Sequence, residues 1–221
     1  MSIITEKLWT ELVETYRQSP EEGYARMLHV FAMQGVDNIS DDLKPLFKKD
    51  KEKASRMMIG VYSEFLALYL HLTNRNADDQ FGRENASKIQ SFLVPYVVEF
   101  AKAYYVGDTN QVKRTIFGIA NEAEGTYASA KYWLDPDETN SLKVFADPEA
   151  SYVRFLKRLS KPLEKDFDNV FDRMYLMKVD NVIFFFNMVN LDEWLKGVAM
   201  HLNIANFDSI NLDPPINKRN A

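Results

Sequence analysis

Two ionisable side chains interrupt the most apolar segment of the chain, residues 57–72. They are Glu64 and His71, and the residues around them are apolar on nearly every side. At about 100° per residue, a separation of seven places both side chains within about 20° of one line along a helix, about 10 Å apart. Arg75 continues that line four residues later. This line of Glu64, His71 and Arg75 could hold a metal, act as an acid and base set, or form a salt-bridged seam.

A metal centre is not what the sequence favours. A spacing of seven is too long for Glu64 and His71 to share one ion, and neither Glu-x-x-His nor His-Glu-x-x-His occurs. The absence of cysteine excludes thiolate ligands and disulfides. The remaining histidines, His29 and His201, would complete a metal site only by converging with His71. We therefore expect no metal and no other cofactor.

The segment after His71, residues 74–83, is dense in polar groups and is expected to be a loop between two apolar helices. Loops on rigid scaffolds often carry binding residues, and Phe81 would be an apolar anchor within this one. The alternative is a solvated connection with weak Arg–Asp pairs. The candidate binding residues are Glu64, His71, Asn74, Arg75, Phe81 and Arg83.

No catalytic residue is assigned from the sequence. Glycine-rich phosphate loops and the Gly-x-Ser-x-Gly turn of serine hydrolases are missing, and cysteine nucleophiles are excluded. These absences favour a non-enzymatic role.

The sequence pattern predicts that the elements carrying these residues are helices. Ser19-Pro20, Asp147-Pro148 and Asn190 followed by Glu193 are helix starts, and apolar residues recur every three or four positions between them. No hairpin signal separates alternating runs. We predict an all-α fold in which about eight helices form one bundle-like domain around the apolar helix at 57–72. The predicted helices are 4–18, 20–34, 40–49, 52–75, 83–106, 109–133, 148–176 with a break near Pro162, and 178–204.

Composition sets the broad class. The chain has 221 residues, 27 basic against 32 acidic side chains, a net charge of −5 and 46% apolar residues. This is too apolar and too weakly charged for a disordered chain, and the acidic balance argues against coating nucleic acid. The N-terminus does not resemble a signal peptide, and no apolar run approaches the roughly 20 residues of a membrane span. We expect a cytoplasmic protein that binds neither membrane nor nucleic acid, with a helical domain at 1–206 and an irregular tail at 207–221.

The leading functional hypothesis is a protein-binding module of the adaptor, regulator or toxin-neutralising type. The acidic balance suits a basic partner, and aromatic side chains at helix ends are typical of recognition surfaces. Those side chains are Tyr104, Tyr105, Tyr132 and Trp133. The partner's identity is not given by the sequence, and a homodimer is compatible with every hypothesis.

The alternative hypothesis is a helical metal- or small-ligand-binding protein, or an enzyme, with its site at Glu64, His71 and Arg75. His29, or Glu122 and Glu124, would complete that site from neighbouring helices. A third hypothesis is a sensor that holds an apolar ligand between helices rich in methionine and phenylalanine.

Overall fold

A computed structural model describes residues 5–103, 105, 108–130, 149–179 and 189–212. Over these residues the regular structure consists of eight helices with no strand, which confirms the prediction of an all-α fold. None of these helices is long and apolar enough to cross a bilayer. The helices are α1 (Glu6–Gln18), α2 (Pro20–Lys49), α3 (Lys51–Phe81), α4 (Arg83–Ala101), α5 (Thr109–Tyr127), α6 (Ser151–Ser160), α7 (Val170–Val179) and α8 (Leu191–His201).

Side-chain caps explain two of the helix starts. The Thr5 hydroxyl accepts the Leu8 N–H at 3.2 Å at the start of α1, and the Asn190 side chain accepts the Glu193 N–H at 3.4 Å at the start of α8. Such caps satisfy donors that have no partner within the helix. The α8 cap confirms the start predicted at Asn190.

Helix α2 joins two helices that were predicted separately at 20–34 and 40–49. Gly35, expected to end the first, lies inside α2 instead. A Cβ at this position would collide with the ring of Phe65, so the glycine permits close packing rather than a turn. Val36 and Ile39 are buried, and their burial keeps the intervening residues helical.

Helix α3 corrects the prediction of a polar loop at 74–83. The helix continues to Phe81, and Gly82, at a φ of 78°, separates it from α4. Tertiary contacts stabilise these polar residues as a helix. Ala77 is fully buried, the Gln80 amide donates to Asp192 at 2.7 Å, and Phe81 packs against Phe207. Such contacts override weak local propensity. The all-round burial predicted for the apolar part of this helix is confirmed over residues 61–71.

The later helices follow the prediction in part. The break expected near Pro162 is present, since α6 ends at Ser160 and α7 begins at Val170. The predicted helix at 178–204 corresponds to α8 over residues 191–201. The end of the helix predicted at 109–133, and residues 180–188, lie outside the described residues.

The described residues group into two compact units. The first unit comprises those within Met1–Gln34, Leu72–Lys113 and Val182–Ala221, and the second those within Gly35–His71 and Arg114–Asn181. The predicted domain at 1–206 and tail at 207–221 stay a prediction.

Each unit has an aromatic core. In the first unit the indole of Trp194 packs edge-on against Trp9 and Tyr16, with ring centroids 5.6 and 4.7 Å away. In the second unit Phe65 packs edge-on against Phe155 at 5.1 Å. Edge-to-face pairs of this kind contribute about 1 kcal/mol beyond the area that they bury.

Candidate functional site

Glu64 forms a bidentate ion pair with Arg158 of α6 in the second unit. Arg158 Nε donates to Glu64 Oε2 at 2.7 Å, and Nη2 donates to Oε1 at 3.2 Å. The side chains of Glu64 and Arg158 are 13% and 6% exposed. Burial raises the pKa of Glu64, and the guanidinium opposes that shift. The sequence-predicted Glu64 is therefore held in place by a partner that the spacing along α3 did not identify.

The rest of the Arg158 guanidinium faces α5. Its Nη1 lies 3.5 Å from Glu122 Oε1 and 3.4 Å from the Thr126 hydroxyl, to which it donates. Sequence reasoning missed Arg158, although a signal was present. Arg158 lies three residues after the buried Phe155, on the apolar face of α6, where a charged side chain needs a buried partner.

His71 pairs with Glu124 of α5 on the same side of α3 as Glu64. Its Nδ1 lies 2.6 Å from Glu124 Oε2, and its side chain is 6% exposed. Because an ionised carboxylate can only accept a hydrogen bond, the imidazole donates from Nδ1 in this contact. The imidazole centroid lies 5.1 Å from that of Tyr127. His71 Nε2 and Tyr127 Oη are both buried and have no hydrogen-bond partner among the described residues.

These contacts place Glu122 beside Arg158 and Glu124 beside His71. The alternative hypothesis grouped the two glutamates with Glu64, His71 and Arg75, but Arg75 is exposed in the first unit. The arrangement nevertheless pairs Glu64 with Arg158 and His71 with Glu124, so both ionisable side chains that the sequence singled out on α3 have a partner. The cluster stabilises the packing of α3 against α5 and α6 within the second unit. Whether it also acts as a ligand site stays a prediction.

The other sequence-predicted residues lie in the first unit. Arg75 and Arg83 are exposed, and Asn74 is half-buried on α3. Phe81 is also half-buried, because its ring lies 6.3 Å from that of Phe207. Their role in binding stays a prediction.

The remaining histidines have separate partners in the first unit. His29 stacks on Phe100 at 5.5 Å, and burial, followed by the nearby Arg26, lowers its pKa to about 4. His201 Nε2 lies 3.5 Å from Glu21 Oε1. Within the described part of the chain, no group of three or more His, Asp or Glu side chains is placed to hold a metal ion.

A cavity of about 750 Å³ lies in the first unit, and sequence reasoning did not predict it. We call it the first cavity. It is bounded by the end of α1, the start of α2, α8 and the irregular residues 210–212. The lining residues are Tyr16, Arg17, Gln18, Pro20, Gly197, Met200, His201, Ile210, Asn211 and Leu212.

Hydrogen bonds fix the irregular wall of the first cavity. Trp9 Nε1 donates to the Leu212 carbonyl at 3.1 Å, and the Asn211 N–H donates to Glu193 Oε2 at 2.8 Å. The pKa of Glu193 is lowered by its contacts with Lys196 and with this N–H. The ion pair between Lys196 and Glu193 therefore helps to hold Asn211 beside α8.

His201 also lines a second, smaller cavity of about 350 Å³, together with Lys88, Phe92, Leu202 and Asn203. We call this the second cavity. Glu21 positions the imidazole between the two cavities, and the Tyr96 hydroxyl donates to the same carboxylate at 3.4 Å. Both contacts involve Oε1, whereas Glu21 Oε2 is buried without a hydrogen-bond partner among the described residues.

Comparison with protein families, curated proteins and solved structures found no match to this chain.

Proposed function

We propose that the protein binds a small organic molecule in the first cavity. The observation that carries this proposal is the cavity itself, whose volume of about 750 Å³ lies within the range of about 300–1,000 Å³ typical of small-molecule sites. Such sites combine apolar walls with a few polar groups that orient the ligand.

The lining of the first cavity has this mixed character. Its apolar part is formed by Tyr16, Gly197, Met200, Ile210 and Leu212. The Tyr16 hydroxyl donates to the Trp194 carbonyl at 2.5 Å and is therefore already engaged. The polar part is formed by Arg17, Gln18, His201 and Asn211. An apolar body and a polar group in one molecule would suit both parts.

The cavity is also organised before a ligand arrives. The bonds from Trp9 to Leu212 and from Asn211 to Glu193 fix one wall, and the Tyr16 bond to α8 fixes another. A pre-formed site loses less conformational entropy when it binds a ligand. The fixed walls of the first cavity therefore favour ligand binding, and the described residues are sufficient to form these walls.

The hypothesis of a protein partner stays a prediction. Three of the four aromatic side chains that motivated it, Tyr104, Tyr132 and Trp133, lie outside the described residues. The third hypothesis, a sensor that holds an apolar ligand between helices rich in methionine and phenylalanine, also stays a prediction, because the described lining of the first cavity contains one methionine and no phenylalanine.

Fluorescence titration with N-phenyl-1-naphthylamine, a neutral apolar dye, tests the proposal. The wild-type protein should bind the dye, and Met200→Trp, which fills the cavity from α8, should weaken binding about tenfold or more. Ile210→Trp should do the same from the opposite segment, so the test does not depend on one variant folding.

Met174→Trp is the matched control, because Met174 is 61% exposed on α7 in the second unit. Circular dichroism establishes that each variant is folded. If either folded cavity variant binds the dye as tightly as the wild type does, or if the wild type does not bind it, the proposal is wrong.

A further inference from the structure

The two cavities share one side chain, and this determines the shape of ligand that they could accept together. We propose that the ligand is an elongated organic molecule with an acidic group at each end, and that it occupies the first and second cavities at once, passing His201. This inference rests on the proposed function, since it names the chemical class of the molecule bound there.

The shared wall is the first argument. His201 lines both cavities, and its side chain is 49% exposed. The contact with Glu21 holds the imidazole at the end of α8 without burying it. A ligand that lies along the exposed part of this ring would contact both cavities.

The distribution of charge is the second argument. The first cavity has one fixed cation, Arg17, and the second has another, Lys88. Among the described residues neither lining includes an Asp or Glu, although the chain carries 32 acidic side chains and a net charge of −5. Because each of the two cavities carries a cation, together they suit a ligand with an anionic group at each end.

The cations are available for a ligand. A guanidinium binds a carboxylate with two parallel hydrogen bonds, which makes Arg17 a suitable partner for one end. Lys88 lies 2.8 Å from Glu84, but both side chains are more than half exposed, and an ion pair of this kind on a helix surface is weak. A ligand carboxylate can therefore replace Glu84 as the partner of Lys88.

Apolar side chains line part of both cavities, which is the third argument. Met200 and Gly197 line the first cavity, and Leu202 and Phe92 line the second. Phe92 is 49% exposed, an unusual position for a large apolar side chain. A hydrocarbon chain lying against Phe92 and Leu202 would remove this apolar surface from water.

Isothermal titration calorimetry with decanedioate, decanoate and butanedioate tests the inference. Decanedioate carries carboxylates at both ends, decanoate carries one, and butanedioate carries two on a much shorter chain. We expect decanedioate to bind about tenfold more tightly than either of the others, because each charged contact contributes about that factor.

The variants Arg17→Gln and Lys88→Gln should each weaken decanedioate binding about tenfold. Lys7→Gln, which removes a cation that is 88% exposed on α1 and lines neither cavity, should leave it unchanged. If Lys88→Gln binds decanedioate as the wild type does, or if decanoate or butanedioate binds equally well, the inference is overturned. Dye binding by the same Lys88→Gln protein separates this failure from failure of the proposed function, because the neutral dye requires only the first cavity.

Discussion

The phenolic oxygen of Tyr16 occupies the space that a Cβ at Gly197 would require. This close approach lets the hydroxyl reach the Trp194 carbonyl at 2.5 Å and places the phenol 4.7 Å from the indole of Trp194. A Cβ at Gly23, on α2, would lie 2.3 Å from the Cα of Tyr16. The two glycines therefore allow α1 to pack tightly against its neighbours, and Tyr16 and Gly197 together form part of the first cavity.

Substitution of Gly197 by Ala should lower the free energy of unfolding by about 1–3 kcal/mol, because the added methyl group displaces the Tyr16 hydroxyl. Gly23→Ala should cost more, since its Cβ meets backbone atoms that cannot move aside. Gly118→Ala is the control. No atom of the described residues lies within 4 Å of its Cβ position inside α5, so it should stabilise the protein by about 0.5–1 kcal/mol. Urea unfolding measures all three, and a Gly197→Ala protein as stable as the wild type would contradict this packing.

Loss of the hydroxyl group should have different effects on protein stability at two buried tyrosines, Tyr16 and Tyr127. Tyr16→Phe removes a hydrogen bond to Trp194 and should cost about 1 kcal/mol. Tyr127→Phe removes a buried hydroxyl that has no partner among the described residues, so stability should stay the same or increase. Thermal unfolding of the pair provides the comparison. A larger loss for Tyr127→Phe than for Tyr16→Phe would mean that the Tyr127 hydroxyl has a partner.

Removal of one partner of the buried Glu64–Arg158 ion pair should lower the stability of the protein strongly, whereas replacement of both partners by leucine should lower it much less. Arg158→Leu alone should lower the free energy of unfolding by about 3–5 kcal/mol, because it leaves a buried carboxylate without its main partner. The double variant Glu64→Leu with Arg158→Leu should recover much of that loss. A double-mutant cycle measured by urea unfolding decides the matter, and simply additive losses would show that the two side chains do not depend on each other.

His29 should make the protein less stable in acid. Its folded-state pKa is lowered to about 4, whereas an unperturbed imidazole has a pKa of about 6.5, so the unfolded chain takes up the proton first as the pH falls. The stability associated with neutral His29 is present above about pH 6.5 and is lost between there and pH 4, up to about 3 kcal/mol. Urea unfolding across this range should show a shallower pH dependence for His29→Leu than for the wild type. Identical slopes would argue against a buried neutral imidazole.

Local signals in the sequence were sufficient for most of the helices. The Asn190 cap and the Ser19-Pro20 start are short-range features, and all-round apolar composition correctly indicated the burial of α3 around Glu64 and His71. These features act within a few residues, where sequence spacing translates directly into geometry.

The remaining features depend on contacts between distant parts of the chain. Residues 74–81 are helical because Gln80 and Phe81 meet Asp192 and Phe207, which local propensity does not reveal. The first cavity joins Tyr16 to Gly197, and its apolar lining has the same periodicity as a packed core. No spacing rule distinguishes a side chain that faces a cavity from one that faces another helix. The first cavity therefore could not be predicted from the sequence.

Methionine methyl NMR tests ligand binding in the first cavity most directly, since it reports where a ligand lies. The protein would be labelled at its methionine methyl groups and titrated with N-phenyl-1-naphthylamine. We predict that the Met200 signal shifts as the dye binds, whereas the signal of Met174, exposed on α7 in the second unit, stays in place. A titration that moves Met174 and leaves Met200 unchanged would contradict the account.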